Sequence, residues 1–426
     1  MIKAKLCPMS ESFLMTLTFA TFLVVNLAIK FWLASRQVKT VATHRHEVPN
    51  EFNQSMSLVD HQKAADYTLA KLQLGYWDLA IDTLFLVGWT LLGGLQLLNQ
   101  SLLQVMDVGV WQQIALFISF MLINGVIGLP LSLYQTFVLE EKFGFNKITW
   151  RLWASDLVKG LMLGMILGLP FLWVVLWLMN AGGIHWWIWA WFALIAFQLF
   201  ILWIAPNFIM PLFNQFKPLE DESLKQRITQ LMTQTGFSVK GFFVMDGSKR
   251  SAHSNAFFTG LGRNKRVVFY DTLLNQLSPD EMQAVLAHEL GHFKLKHIPK
   301  MIVINFLASL LGLVILGYLA QQLWFYTGLG VTPNALGPND ALALLLFMQV
   351  TPLVSFLVSP ISSFRSRKHE FEADAFATQH ANAKDLKTAL LKLYKDNAST
   401  LTPDPLYVAF YHSHPSASQR LAHLSA

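Results

Sequence analysis

The 426-residue chain is short of charge. Lys, Arg, Asp and Glu together make up 14% of it and hydrophobic residues 54%, against about 25% charged in an average soluble domain. That deficit excludes an ordinary water-soluble globule and points to a membrane protein. Cysteine is almost missing. Cys7 stands alone, which excludes an intramolecular disulfide and any zinc site built on thiolates. Lys and Arg are absent from 99–111, 181–183 and 323–340. The net charge of +6 forms no basic stripe, because the basic residues flank apolar runs, so nucleic acid is not an expected partner. Ionisable residues are scarce within the apolar runs. Lys30 and Asp82 are read as lying near span ends, where they can snorkel, and a transporter or channel would want such groups at mid-membrane.

What the chain does have is apolar sequence of membrane-crossing length. A helix needs about 20 residues to cross a bilayer, and seven stretches qualify, near 12–34, 78–98, 112–136, 160–180, 184–206, 301–322 and 341–361. The first is too long for a signal peptide and no small-x-small cleavage site follows it. Arg36, Lys39, Arg45, Lys63 and Lys71 fill 35–76, and Lys142, Lys147, Arg151 and Lys159 fill 140–159. Since positive loops stay inside, the bare loops face away from the cytoplasm, with the N-terminus outside and the C-terminus inside. Lys3 and Lys5 run against this. Trp186, Trp187, Trp189 and Trp191 open the fifth span as an outer aromatic belt. Pro130, Pro170 and Pro352 are expected to kink their spans.

The expected fold is mainly α, a multi-pass membrane protein of seven transmembrane helices with a cytoplasmic α+β domain, which the His-Glu-x-x-His run at 288–292 marks as zincin-like and catalytic. Residues 1–206 carry spans one to five with cytoplasmic loops 35–76 and 140–159. Residues 207–300 form the catalytic segment, with a polar helix over 219–236 and short β-runs at 241–244, 256–259 and 266–270, the last two joined by a hairpin loop at 260–264. An edge strand there can bind an extended peptide. Residues 301–361 carry spans six and seven, and 362–426 form a C-terminal cytoplasmic segment.

The chemistry centres on Ala287-His288-Glu289-Leu290-Gly291-His292. On a helix, His288 and His292 share a face and can reach one metal ion, with Glu289 aimed at a water; this is the His-Glu-x-x-His pattern of zinc peptidases. The helix is signalled independently. Ser278-Pro279-Asp280-Glu281 offers an N-cap, a proline at N1 and a capping-box Glu, and Met282, Val285, Leu286 and Leu290 form an apolar stripe. Pro299 marks a break or kink after Ile298. Gly291 costs about 1 kcal/mol relative to Ala in a helix interior, which suggests close approach of another backbone, here a substrate strand.

Catalytic zinc takes three protein ligands and leaves one position open. The metzincin continuation is absent, since Phe293-Lys294-Leu295-Lys296-His297 follows. A better third ligand lies beyond the seventh span, in Ser366-Arg367-Lys368-His369-Glu370-Phe371-Glu372-Ala373-Asp374. His292 and Glu370 both stand nine residues from a span, roughly 14 Å from the bilayer at helical rise, so they can meet. Glu370 is the expected ligand. Asp374, on the same face, is expected to orient a ligand histidine, and Arg367 to pair with one of the acids; Glu372 and His369 point elsewhere. The bland alternative is a charged helix on a solvated face. Glu289 is read as the base that moves the water proton to the leaving amine, and Asn255 or His414 as the oxyanion donor.

These residues, with Glu140-Glu141-Lys142-Phe143-Gly144-Phe145-Asn146-Lys147, Met210-Pro211-Leu212-Phe213-Asn214, Pro218-Leu219-Glu220-Asp221, Ser254-Asn255-Ala256 and His414-Pro415 with Arg420, make the chain resemble the type I CAAX prenyl proteases, seven-span gluzincin metalloendopeptidases. The resemblance runs nearly end to end. It implies one Zn2+ per chain on His288, His292 and Glu370, Glu289 as base, and Asn255 and His414 near the transition state. It also implies a helix barrel around a water-filled chamber and, as partners, the lipid bilayer and prenylated peptide or protein substrates. Compact loops and a C-terminus, Leu424-Ser425-Ala426, without an ER-retrieval signal lean toward a prokaryotic member in a bacterial inner membrane, catalytic side cytoplasmic, with the endoplasmic reticulum as alternative. Two other functions remain in view: membrane-protein quality control without a prenyl requirement, and a non-catalytic zinc scaffold. Glu289 argues against the scaffold, because a structural site needs no base.

Overall fold

A computed structural model of the chain describes residues 10–425 apart from 238 and 260–264. The expected loop at 260–264, Lys3, Lys5 and Cys7 lie outside the described residues. Among those described, six helices are long and apolar enough to cross a membrane: Glu11–Thr43, Val110–Phe143, Trp150–Ala181, Gly183–Phe213, His297–Leu319 and Asp340–His380. A bent pair, Leu58–Trp89 and Gly94–Leu103, meeting at 51°, brings the count to seven if the two are one broken span rather than a re-entrant loop. The expected span at 78–98 straddles this bend. Thr90 leaves helical geometry and Gly93 takes a φ of 77°, a conformation glycine adopts freely.

Many of the helices overrun the bilayer. Asp340–His380 has 41 residues, about 60 Å of helix against roughly 30 Å of hydrocarbon. Its far end therefore stands clear of the membrane and carries Glu370 and Asp374. Prolines shape the spans without ending them. Three π-helical stretches occur, Gln135–Glu140, Gly164–Gly168 and Ala205–Ile209. A proline deprives the carbonyl four residues earlier of its donor. For Pro170 and Pro211 those carbonyls belong to Ile166 and Asn207, inside the second and third π stretches, where the wider ladder accommodates the loss.

One expectation about the spans needs correction and another gains detail. Lys30 and Asp82, read as snorkelling near span ends, both line a cavity of about 990 Å³ together with Tyr67, His253, His414 and Arg420. The lysine also lies 5.0 Å from the Phe356 ring centroid. The tryptophans are not a uniform belt. Trp189 is exposed, but Trp186 is buried and Trp191 donates its indole N–H to the Phe306 carbonyl at 2.9 Å, so part of the cluster packs between helices.

Outside the membrane the chain builds a four-stranded sheet in the order β1-β2-β4-β3, from Phe216–Pro218, Gly241–Met245, Ala256–Thr259 and Arg266–Tyr270. The first strand is too short to show in the sequence pattern. β2 and β4 run parallel, β3 pairs antiparallel to β4, and β3 is an edge. The helix Glu222–Gln234, capped by Asp221, and the helix Pro279–Lys294 share one apolar core with this sheet through Ile228, Leu231, Phe269, Leu286 and Leu290. The sheet is strapped to the membrane helices. Arg250 grips Asp156 with two hydrogen bonds of 2.8 and 3.0 Å, and Lys147 donates its backbone N–H to the Arg250 carbonyl.

Pro279–Lys294 begins as expected, with the full capping box between Ser278 and Glu281. Its end differs. The break falls at Leu295 and Lys296, the latter with a φ of 57°, and Pro299 lies in the first turn of the next helix. Gly291 does mark a close backbone approach, but the neighbour is not substrate. A Cβ there would stand 3.0 Å from the Ala373 Cα and 3.2 Å from its carbonyl oxygen, so the glycine lets helix Asp340–His380 press against the His-Glu-x-x-His helix. Gly291→Val should therefore lower stability by about 1–3 kcal/mol, read as a lower melting temperature in detergent, despite removing a flexible residue.

Candidate metal centre and active site

The two helices meet with their polar side chains converging. His288 and His292 turn their Nε2 atoms toward each other at 3.2 Å. Glu370 reaches both, with carboxylate oxygens 3.5 Å from His288 Nε2 and 3.4 Å from His292 Nε2. Around a tetrahedral ion with bonds of about 2.0–2.1 Å, neighbouring donor atoms stand about 3.3 Å apart. The donor set has that spacing, and the chemistry suits a divalent ion: two imidazoles and one carboxylate. Glu370 Oε2 is buried with no hydrogen-bond partner among the described residues; Arg420 Nη1 stands 3.8 Å away, beyond hydrogen-bond reach, which leaves the oxygen able to take a cation at closer range.

His288 is held from behind. Its Nδ1 lies 2.8 Å from Asp374 Oδ1, so that ring nitrogen carries a proton and Nε2 is free to ligate. Burial alone would lower the His288 pKa, but the hydrogen bond to Asp374 and the nearby Glu370 carboxylate outweigh it and lift it to about 9. Asp374 is completely buried. Its charge is met by Arg420 from the C-terminal helix Ala417–Ser425, whose Nε donates to Oδ2 at 2.9 Å and whose Nη2 donates to Oδ1.

Glu289 lies in the same cleft, a pocket of about 120 Å³ shared with Asn255, His288, Glu370, His414 and Arg420. Burial is the first cause of its raised pKa. His414 is largely exposed, with Nε2 3.5 Å from Glu370 Oε1. Asn255 precedes the edge strand β3. Its side-chain oxygen accepts the Ala256 N–H at 2.8 Å, so its NH2 is the group it offers to the cleft. His288, Glu289, Glu370, Asn255 and His414 line this cleft, with His292 and Asp374 each against His288.

Arg367 does not join them. Its guanidinium donates to the carbonyls of Val408 and His412 at 3.0 and 2.9 Å and pairs with no acid among the described residues. Of the acids on that face, Asp374 is already met by Arg420. Arg367 instead fastens the segment leading to His414 against the long helix. The partner of Asp374 could not be read from helical spacing, because Arg420 arrives from a separate helix 46 residues downstream.

With this geometry established, comparison with known proteins is decisive. Residues 37–215 match a family model described as CAAX prenyl protease N-terminal, five membrane helices, and residues 218–426 match Peptidase family M48. The chain belongs to the M48 peptidases. It is similar to CAAX prenyl protease 1 of Saccharomyces cerevisiae, 39% identical over 316 residues, covering 71% of this chain and 69% of the relative. It is also similar to the CAAX prenyl protease 1 homolog of Homo sapiens, 31% identical over 454 residues, covering 95% and 94%. The crystal structure of S. mikatae Ste24p superimposes with a TM-score of 0.90 at 31% identity, over 97% of this chain and 99% of that one. This M48 peptidase is accordingly a multi-pass membrane metalloendopeptidase, and its family implies a bound metal.

Removing one partner of a buried ion pair costs about 3–5 kcal/mol. Arg420→Leu should destabilise the M48 peptidase by that amount in denaturant unfolding, whereas Arg420→Lys, which keeps the charge but loses the bidentate fork, should cost less.

Proposed function

We propose that His288, His292 and Glu370 hold one zinc ion and that the chain cleaves peptide bonds of prenylated CAAX proteins, releasing their C-terminal tripeptide. The observation that carries the reading is the convergence of two imidazole Nε2 atoms and the two oxygens of one carboxylate at separations of 3.2–3.5 Å, beside a cleft that also holds Glu289. Zinc, when bound, acidifies water and polarises a carbonyl. The chain's own residues supply the rest. Glu289 takes the proton of the attacking water and hands it to the leaving amine; its burial raises its pKa and so improves it as a base. His414 and the Asn255 amide donate to the developing oxyanion. Asp374 fixes the His288 ring. An extended substrate pairs along the free edge of β3, next to Asn255.

The relatives named for CAAX processing support the substrate class, as does the cavity of about 990 Å³, which runs from the cleft between the first two membrane helices. A volume of that size lies at the top of the usual range for ligand pockets. The distribution of Lys and Arg supports a catalytic end on the cytoplasmic side, in a bacterial cell membrane or in the endoplasmic reticulum alike.

Glu289→Gln should keep about one zinc per chain by metal analysis and lose at least about 100-fold in peptide cleavage; unchanged cleavage would remove Glu289 from its role. A CAAX peptide should be cleaved with its farnesyl group and poorly without it. Equal rates on the two peptides would replace CAAX processing by general membrane-protein turnover.

A further inference from the structure

We propose that His297 and Glu372 form a positioning relay for His292, the indirect counterpart of the direct contact between Asp374 and His288. The proposal rests on the zinc reading above. It starts from an unusual piece of backbone. Lys296, at a φ of 57°, is a non-glycine residue in the left-handed region, and Ala398 is the other such residue among those described. A side chain there costs energy that surrounding structure must outweigh. What the turn accomplishes is to fold His297 back under the preceding helix. His297 is buried, and its Nδ1 lies 3.1 Å from His292 Nδ1. Its Nε2 lies 2.9 Å from Glu372 Oε2.

These contacts leave one arrangement of protons. If His292 ligates through Nε2, its proton sits on Nδ1 and is donated to His297 Nδ1. His297 then carries its own proton on Nε2 and donates it to the Glu372 carboxylate. Both metal-binding imidazoles thereby end on a carboxylate, which fixes ring orientation and makes the ligating nitrogen more basic. Helix geometry explains why one link is direct and the other is not. At about 100° per residue, Asp374 lies about 40° around the helix from Glu370, whereas Glu372 lies about 200° away. Glu372 cannot reach a ligand ring from there, and His297 spans the gap. The relay is also clamped. The His369 ring stacks on His297 at 4.0 Å and 6°.

The same side chains invite a rival reading, because ligand atoms of His297, His369 and Glu372 lie within 4.8 Å of one another and could hold a second metal. Two features favour the relay. Both nitrogens of His297 are already engaged, and parallel stacked rings aim their lone pairs side by side rather than at a common point.

The test is a zinc competition titration against a chelator on the full-length protein in detergent, with melting temperatures recorded with and without zinc. One zinc per chain, lost in His288→Ala, establishes the ligand set itself. Given that, His297→Phe should weaken zinc binding about 10–100-fold, and Glu372→Ala should weaken it similarly. His297→Gln, which restores an acceptor for the His292 N–H, should recover most of the loss. The zinc-free melting temperature should change little while the zinc-induced rise shrinks. Zinc affinity in His297→Phe within twofold of the parent, or equal losses in His297→Phe and His297→Gln, overturns the relay. So does a parent protein that binds two zinc ions, one of which disappears in Glu372→Ala.

Discussion

The site depends on one close contact between backbones. Helix Asp340–His380 lies against the His-Glu-x-x-His helix at Gly291, where Ala373 occupies the space a side chain would need. At that spacing, carboxylates rooted on one helix reach imidazoles rooted on the other without a loop between them. Glu370 meets both rings and Asp374 stands behind one of them. Functional groups mounted on helices are held more tightly than groups on loops. Here the two helices share an apolar core with the sheet through Leu286, Leu290 and Ala377.

Electrostatics sets the second constraint. A fully buried aspartate is tolerable only if its charge is met, and Asp374 has an imidazole on one side and a guanidinium fork on the other. The membrane-proximal part of the C-terminal segment is tied down in the same manner. Arg36 on the first helix pairs with the buried Asp404 at 2.9 Å, and Arg367 holds the carbonyls of Val408 and His412. The segment that bears His414 is therefore fixed at several points along its path to the cleft.

Much of this was legible in residue order, and the limits were physical. Local signals carried far: the capping box at Ser278, the apolar runs and the shared face of His288 and His292 all depend on neighbours in sequence. The meeting of His292 with Glu370 was legible because two spans of similar length return the chain to the same height. Tertiary pairings were not. Arg367 seemed the natural partner of an acid because it is close in sequence, yet Arg420 fills that place from another helix. His297, five residues after His292, is off the ligand face of a straight helix, and only the turn at Lys296 brings it back. The bend near Gly93 was hidden because hydropathy averages over residues and does not register a change of direction.

The donors and their supports are spread along the chain in a way that bears on biogenesis. His288 and His292 leave the ribosome before the last two spans, Glu370 after them, and Arg420 later still. On the proposed ligand set, the third donor follows both spans in the chain, and Asp374 precedes the helix that brings its guanidinium partner. A nascent chain would then be a dormant protease, one whose cutting centre matures only once its last helix is made.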